Sequence, residues 1–404
     1  MITTIAWRNI WRNKTRSLVI MTSVALGLWA GAFIAALYWG MGQERMRIAI
    51  ENEIAHLQIH APDFTLEFAR IPAIHNATQL TAQVAAMKEV KAVSARAIAM
   101  GMLATATGSA GIQINGIEPN AEAATSQLKS KLTEGTYFES KKTNTALIGA
   151  KLAKKLKLKL NSKVVLTFQD KEDNLVSAAF RIEGIYQSYN TALDERNIYV
   201  PITTLNNLLG LQQQAHEIAI LLHSDELTPV VKATLAAQNQ DLKVQDWKEI
   251  SPETGLILST MGQASMVFVV IILLALAFGI INTMLMAVLE RTREIGVLMA
   301  LGMNKLKLFA MILTETFMLV MVGCPFGLLL AWGVIQLLSE KGIDLTNIAG
   351  QTMQDFGFSN VIYPGLPANQ YLQIVILVVI TAIVSAFFPA IRALRLKPVE
   401  AIRG

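Results

Sequence analysis

Four stretches of the chain contain no Asp, Glu, Lys or Arg: 17–43, 254–289, 316–339 and 356–391. Each holds an apolar core of about 20 residues, the length at which a helix crosses a bilayer. The pattern predicts four spanning helices, at 17–43, 264–289, 312–338 and 371–391. No such window exists between 44 and 253, so a large water-exposed insertion separates the first span from the second. The first apolar stretch is longer than the core of a cleaved signal peptide and runs into Tyr38 and Trp39, aromatic residues suited to a membrane interface. It reads as a retained anchor.

The insertion has a different rhythm. Alternating or β-branched runs predict strands at 56–60, 112–117, 164–168, 180–186 and 217–222. Helical stretches fall at 78–90, 122–132, 150–158, 203–209 and 227–237, separated by turns such as Glu134-Gly135 and Asn161-Ser162. About 210 residues can bury a core of their own. The mixture predicts an α+β domain of two subdomains, without the fixed period of a solenoid. The fold class expected is therefore an α-helical membrane protein with four transmembrane helices and a large α+β extracytoplasmic domain between helices 1 and 2.

Composition agrees. Of 404 residues, 53% are hydrophobic and 16% charged, and the mean hydropathy is +0.42. Soluble domains carry roughly a quarter charged residues, so a purely soluble protein is excluded, and so is disorder. The single cysteine, Cys324, excludes an internal disulfide framework.

The placement of Lys and Arg sets the orientation. The N-terminal tail (Arg8, Arg12, Lys14, Arg16), the loop after span two (Arg291, Arg293, Lys305, Lys307) and the C-terminal tail (Arg392, Arg395, Lys397, Arg403) hold 12 basic and 3 acidic residues. The insertion holds 22 basic and 23 acidic residues, so it is nearly neutral. Both termini are expected in the cytoplasm and the insertion outside. The expected layout is a cytoplasmic amphipathic helix at 1–16, the outer domain at 44–263, a cytoplasmic loop at 290–311, an outer loop at 339–370 and a cytoplasmic tail at 392–404.

Few residues offer chemistry. The chain has no GxxxxGK[ST], HExxH or GxSxG, so it shows no ATPase or hydrolase centre and any energised work draws on another polypeptide. His56 and His60 would share a strand face, but no third metal ligand is evident. The lysine-rich run 151–163 reads as the solvated face of a helix whose leucines point inward. Gly27 and Gly31 form a GxxxG in span one, a spacing that lets helices approach closely in lipid. Its expected neighbour is a dimer mate or span two. Pro325, in Gly323-Cys-Pro-Phe-Gly327, predicts a bend in span three. Glu315 is an ionisable group near the inner end of that span, expected to form a structural ion pair rather than a proton relay.

The loop after span two stands out. Residues 290–302 read ERTREIGVLMALG: charges that extend the helix past the membrane, then an apolar segment with small residues. The helix is expected to break at Gly296 or Gly302 and to present a compact knob to a cytoplasmic partner. A positively charged stop-transfer loop is the alternative.

Residues 290–315, ERTREIGVLMALGMNKLKLFAMILTE, resemble the signature of the FtsX-like permease domain, ER-x-x-EIG-x-x-x-AxG with a Glu further on. Pro389 to Arg403 resembles that family's closing motif, P-A-x-x-A-x-x-x-x-P-V-E-A-L-R, and residues 6–16 resemble its opening amphipathic helix. Residues 147–158 are similar to a segment of the outer domain of MacB, LolC and LolE; Asn161-Ser162 stands where that family often has Gly-Asp. The resemblance covers essentially the whole chain.

It implies the permease subunit of a mechanotransmission-type ABC transporter of the bacterial inner membrane. Such permeases pair with an identical or paralogous second permease and bind two ATPase subunits. No cofactor is implied in this chain; ATP and Mg would sit on the partner ATPase, expected here as a separate chain. Glu290, Arg291, Arg293, Glu294, Ile295, Gly296, Met299, Ala300 and Gly302 would form the coupling helix. The plan is closest to LolC and LolE, which implies release of lipoprotein cargo from the membrane, with a periplasmic carrier. The alternatives are MacB-like efflux of peptides or antibiotics with an adaptor protein, and an FtsX-like regulator of cell-wall hydrolysis. Membrane lipids are expected contacts; a nucleic acid is not.

Overall fold

The computed structural model describes residues 7–8, 10–65, 71–139, 144–188 and 190–395. The closing motif beyond Arg395 and the first six residues of the opening segment lie outside the described residues.

The first long helix, α1, runs Lys14–Ile48, and a π-helical turn, Ala49–Ile54, follows it. Then come β1 (Leu57–His60), α2 (Ala77–Ala85) and the hairpin of β2 (Val90–Thr105) and β3 (Gly108–Ile117). The chain continues through α3 (Pro119–Thr125), β4 (Leu132–Gly135), β5 (Thr145–Gly149), α4 (Ala150–Lys155), β6 (Lys163–Gln169) and β7 (Leu175–Tyr186). Next are α5 (Thr191–Arg196), β8 (Asn197–Pro201), α6 (Ile202–Leu209) and β9 (Glu217–Leu222). Then follow α7 (Thr228–Gln238), β10 (Lys243–Asp246) and α8 (Trp247–Ile250). The second long helix is α9 (Pro252–Glu290). After it come α10 (Thr292–Ala300), α11 (Lys305–Lys341), the short β11 (Ile343–Asp344), α12 (Thr346–Asp355), β12 (Val361–Ile362) and α13 (Ala368–Leu394).

By packing, the chain forms two bodies. The helical one comprises Met1–Gln43, Ser259–Asp344 and Val361–Gly404. Helices α1, α9, α11 and α13 are long and apolar enough to cross a membrane, and they contain the four expected spans. At 1.5 Å per residue, the 39 residues of α9 reach about 58 Å, well beyond the roughly 30 Å of a hydrocarbon core. The span predicted at 264–289 is thus the apolar part of a longer helix that starts at Pro252.

These helices share one core. Val24, Leu28, Ala32 and Ala36 of α1 join Leu276, Ile280 and Met284 of α9, Leu319, Val320 and Ala331 of α11, and Val378 and Ala382 of α13. Gly27 lies against Leu276 of α9, and Gly31 against Ile374 of α13. A closer approach of two long helices comes from another glycine pair, four residues apart in α11. A β-carbon on Gly323 would sit 2.9 Å from the Met21 carbonyl oxygen, and one on Gly327 2.8 Å from that of Ala25. These two glycines bring α11 onto the backbone of α1, the close-packing mode of small residues in lipid. The helix stays continuous through Pro325. Gly327→Leu is expected to force the two helices apart at a cost of about 1–3 kcal/mol, the usual range for overpacking. Thermal unfolding in detergent would read it; a midpoint equal to wild type would refute the contact.

The second body comprises Glu44–Leu258 and Leu345–Asn360. Helix α12, in the expected outer loop, therefore belongs by packing with the large inserted domain. The domain is built on one sheet with strand order β10-β1-β9-β2-β3-β8-β5-β7-β4, with β6 pairing β2 and β7. The β2–β3 turn is closed by the Thr105 hydroxyl, which accepts from the amides of Thr107 and Gly108. One edge of β2 carries β3 along 96–105. Its other edge carries β9 up to Arg96 and β6 from Gly101. Gly101 permits the change: a β-carbon there would lie 2.5 Å from the Thr167 carbonyl oxygen.

Two cores result. One gathers Leu103, Ile114, Ile148, Leu166, Phe168 and Phe180; the other gathers Leu57, Ile59, Leu80, Ile220 and Leu235. A single sheet thus joins what the sequence suggested as two subdomains. The expected helix at 78–90 stops at Ala85, because Val90 already belongs to β2. The expected helix at 122–132 ends at Thr125. Strand 56–60 is not half-exposed: β1 is buried along its whole length, between β9 and β10. In the lysine-rich run, Leu152 and Leu156 are buried while Lys151, Lys154 and Lys155 are exposed. Asn161 adopts φ +63°, a left-handed geometry that Asn tolerates, so the turn forms without the family's glycine.

Candidate functional site

The loop between α9 and α11 folds into a separate short helix, and local chemistry defines both its ends. α9 stops at Glu290, and Arg291 breaks from helical geometry with φ −102° and ψ +16°. At the other end Gly302 takes φ +90°. The Gly302 amide donates to the Met299 carbonyl and the Met303 amide to that of Leu298, the paired bonds of a Schellman cap. Asn304 then starts α11, its side chain accepting from the Leu306 amide. The break expected at Gly296 does not occur: Gly296 is buried inside α10. A glycine is tolerated in a helix interior at a cost of about 1 kcal/mol, whereas a residue at C′ must adopt a left-handed conformation.

The expected coupling residues divide by face. Ile295 and Gly296 are buried and anchor the helix; Met299 packs against the same core. Arg293, Glu294, Ala300 and Gly302 are exposed. So are two residues outside the expected set: Val297, 42% exposed, and Leu301, 80% exposed. The outward face of α10 is thus an apolar knob with charges at its start. The signal for Val297 and Leu301 was their spacing of four, one helical turn.

Two arginines near the N-terminus hold this element. Arg12 pairs with Glu294 and Arg16 with Glu290. Both pairs repeat with a spacing of four, so matching faces meet. Exposed pairs contribute at most about 1 kcal/mol each, so they orient α10 more than they stabilise it. The deeper pair is Arg291 with Glu315, where the guanidinium Nη1 lies 3.3 Å from a carboxylate oxygen and both side chains are about nine-tenths buried. Glu315 thereby ties the first residue after α9 to α11. A cleft of about 640 Å³ opens beside them, lined by Arg12, Arg293, Glu294, Val297, Leu298 and Met311 among others. The site displays a rigidly seated apolar helix; it assembles no nucleophile, base or metal-ligand set among the described residues.

The expected histidine pair does not act as a unit. His56 accepts from the Leu222 amide through Nδ1, and burial pushes its pKa below the usual value. His60 faces Glu217, 3.3 Å from Nε2. Its surroundings form a buried polar network that sequence reading missed. The Arg96 guanidinium donates to Glu122 at 2.7 and 3.0 Å and to Glu217 at 2.8 Å, and the Ser94 hydroxyl donates to Glu122 at 2.8 Å.

Residues 17–238 match the model of the MacB-like periplasmic core domain, and residues 266–398 match the FtsX-like permease C-terminal model. An uncharacterized ABC transporter permease of Methanocaldococcus jannaschii is 25% identical over 428 residues, covering 100% of this chain and 98% of that protein. The pyoverdine export ATP-binding/permease protein PvdT of Pseudomonas syringae pv. tomato is 24% identical, covering 98% of this chain and 58% of its own. The macrolide export ATP-binding/permease protein MacB of Acinetobacter baylyi is 26% identical over 237 residues, 56% of this chain and 33% of that protein. The chain thus spans the whole of the first relative and only part of the two exporters. One family model covers the anchor helix with the inserted domain and the other covers the last three spans, so the chain belongs to the FtsX-like, MacB-type family of ABC-transporter permeases.

Proposed function

We propose that this permease serves an efflux-type ABC transporter, moving a small amphiphilic molecule or peptide outward under the drive of a partner ATPase. The observation that carries the reading is α10, a capped helix with a seated inner face and an apolar outer face at Val297, Ala300 and Leu301. In this reading α10 docks on the ATPase, which holds ATP and Mg. Two permeases and two ATPases make the working unit. Nucleotide binding favours one arrangement of the pair because it has different affinity for the two states. The long helix α9 ends one residue before α10 begins, and its unbroken course from Pro252 to Glu290 suits it to transmit the movement.

Relatives named for a cargo include exporters of macrolides and pyoverdine, which supports efflux. The expectation of lipoprotein release based on LolC and LolE rests on the shared plan, and exporters weigh toward efflux. The test is reconstitution of the permease with its ATPase in liposomes, reading ATP hydrolysis together with export of bound cargo identified by mass spectrometry. Leu301→Asp with Val297→Asp is expected to lower permease-stimulated hydrolysis and export at least tenfold while the detergent-extracted protein keeps its helical signature. Wild-type stimulation in that variant would remove α10 from the docking surface, and lipoprotein as the recovered cargo would overturn efflux.

A further inference from the structure

Helix α9 buries one face in the helical body and leaves the opposite one bare. Val269, Leu273, Leu276, Ile280, Met284 and Val288 enter the core. On the far side Phe268, Ile271, Ala275, Phe278, Asn282 and Leu289 are all exposed. With 3.6 residues per turn, Asn282 points directly away from the buried pair Ile280 and Met284.

An asparagine on that face is costly in lipid. At 1.5 Å per residue it lies about 12 Å along α9 from Glu290, within the apolar stretch of a helix long enough to cross a membrane. Its amide carries donors beside an acceptor, and hydrocarbon satisfies neither. Hydroxyl side chains in the spans avoid this cost by donating back to their own helix. Thr22 donates to the Leu18 carbonyl at 2.8 Å, Thr283 to that of Gly279 at 2.8 Å and Ser385 to that of Thr381 at 2.6 Å. The Asn282 side chain makes no such bond among the described residues.

The positions around it repeat. From Phe268 through Ile271, Ala275, Phe278, Asn282 and half-buried Leu285 to Leu289, the spacing alternates between three and four residues. That is the seam of a coiled coil, and Asn282 takes an a position in it together with Phe268, Ala275 and Leu289. A single asparagine at such a position fixes register and the number of strands. On the flank of the seam, a β-carbon on Gly279 would meet nothing within 4 Å, so a neighbouring helix can come close there.

We propose that this face is the seam between two identical copies of the chain, α9 against α9, with Asn282 of one copy bonded to Asn282 of the other. The proposal rests on the reading that two permeases form the working unit, and it names where they meet. An identical copy is the occupant for a chemical reason. Two copies inserted in the same direction are related by a two-fold axis along the membrane normal, which sets seam residues against themselves. Apolar side chains accept a copy of themselves. So does an amide, because the N–H of one asparagine donates to the carbonyl oxygen of the other. A lysine or glutamate at that position would meet its own charge.

The test uses the full-length permease alone in lipid vesicles, without ATPase or cargo, so its outcome is independent of the α10 assignment and of efflux. In a Cys324→Ala background, Ala275→Cys, Phe278→Cys and Leu289→Cys are oxidised one at a time. Met266→Cys and Val270→Cys, exposed on other sides of α9, are the controls. Disulfide-linked dimers are expected at the seam positions and not at the controls. Energy transfer between labelled copies then reads the dimerisation constant. Asn282→Leu is expected to weaken it about tenfold, the usual scale for an interhelical side-chain hydrogen bond in model membrane peptides. Asn282→Gln keeps donor and acceptor and is expected to hold it within about threefold of wild type. Absence of linked dimers, equal linking at seam and control positions, or unchanged association of Asn282→Leu would overturn the proposal. A paralogous chain as the linked partner in cells, identified by mass spectrometry, would overturn it too. Loss of export in Asn282→Leu with association intact would give the residue to the cargo path instead.

Discussion

Arg96→Met is expected to destabilise the inserted domain by about 3–5 kcal/mol, the usual cost of removing one partner from a buried ionic cluster. Arg96 bridges two buried carboxylates, Glu122 at 1% exposure and Glu217 at 7%. Without it Glu122 would keep only the Ser94 hydroxyl and Glu217 only His60, both in a low-dielectric interior. The pull of the arginine is visible in its neighbour: despite burial, His60 and Arg96 hold the Glu217 pKa below the usual carboxylate value. Hydrogen exchange of β2 and β9 in the full-length protein measures the loss. The triple change Arg96→Met, Glu122→Gln and Glu217→Gln removes all three charges and is expected to recover much of it. A loss below about 1 kcal/mol in the single variant would show that water reaches the cluster and screens it.

From pH 7 to 4 the Asp194→Asn variant of the same domain is expected to lose stability far more steeply than the native chain, starting from a higher value at pH 7. His216 is neutral in the fold: burial lowers its pKa from 6.5 to about 4. Its Nδ1 accepts from the Ile98 amide at 2.8 Å, a bond that protonation of that nitrogen would destroy. The unfolded chain takes up this proton first, so the stability present above pH 6.5 is lost as pH falls toward 4. At 1.36 kcal/mol per pH unit, that is about 3 kcal/mol. His56, also lowered by burial, acts in the same direction.

Asp194 works the opposite way. Burial raises its carboxyl from 3.8 to about 6, against the two hydrogen bonds it accepts from Ser188. The folded chain now takes up the proton first, so this contribution is full below pH 3.8 and is lost as pH rises through 6. Its size is again about 3 kcal/mol, and the two groups offset each other over nearly the same window. Asparagine at 194 removes one side of that balance. Hydrogen exchange of β2 and β9 from pH 7 to 4 should then show the histidine's full loss, and adding His216→Phe should flatten the profile. A flat profile in Asp194→Asn alone would mean that His216 does not control the acid limb.

How much was legible follows from which interactions are local. The spans could be read because bilayer crossing needs only a run of uncharged residues, a property of contiguous sequence. β9 was legible too, since Glu217–Leu222 is nearly all apolar and partly β-branched. β2 was not: its sequence, VKAVSARAIAMGMLAT, is rich in Ala and interrupted by Gly101, residues with little strand preference. It is a strand because β3, β9 and β6 take up its backbone groups. The loop at 290–302 was legible as a motif, but its faces were not. Ile295 and Val297 look alike in sequence; one is 5% exposed and the other 42%. The ion pairs Arg12–Glu294 and Arg291–Glu315 join residues 282 and 24 positions apart, and no spacing rule reaches that far.

The chain alone therefore determined the number of crossings, the place of the insertion, the preference for cytoplasmic basic loops and the family motif at 290–315. All of these depend on the free energy of moving single residues between water and lipid, or on a contiguous pattern. The tertiary structure decided which glycines let helices touch, which side of α10 faces outward, and that Arg96, Glu122, Glu217 and His60 converge in one buried polar network. Those outcomes depend on which distant backbones come within a few ångströms of each other, and that is settled only when the sheet and the helices close around their cores.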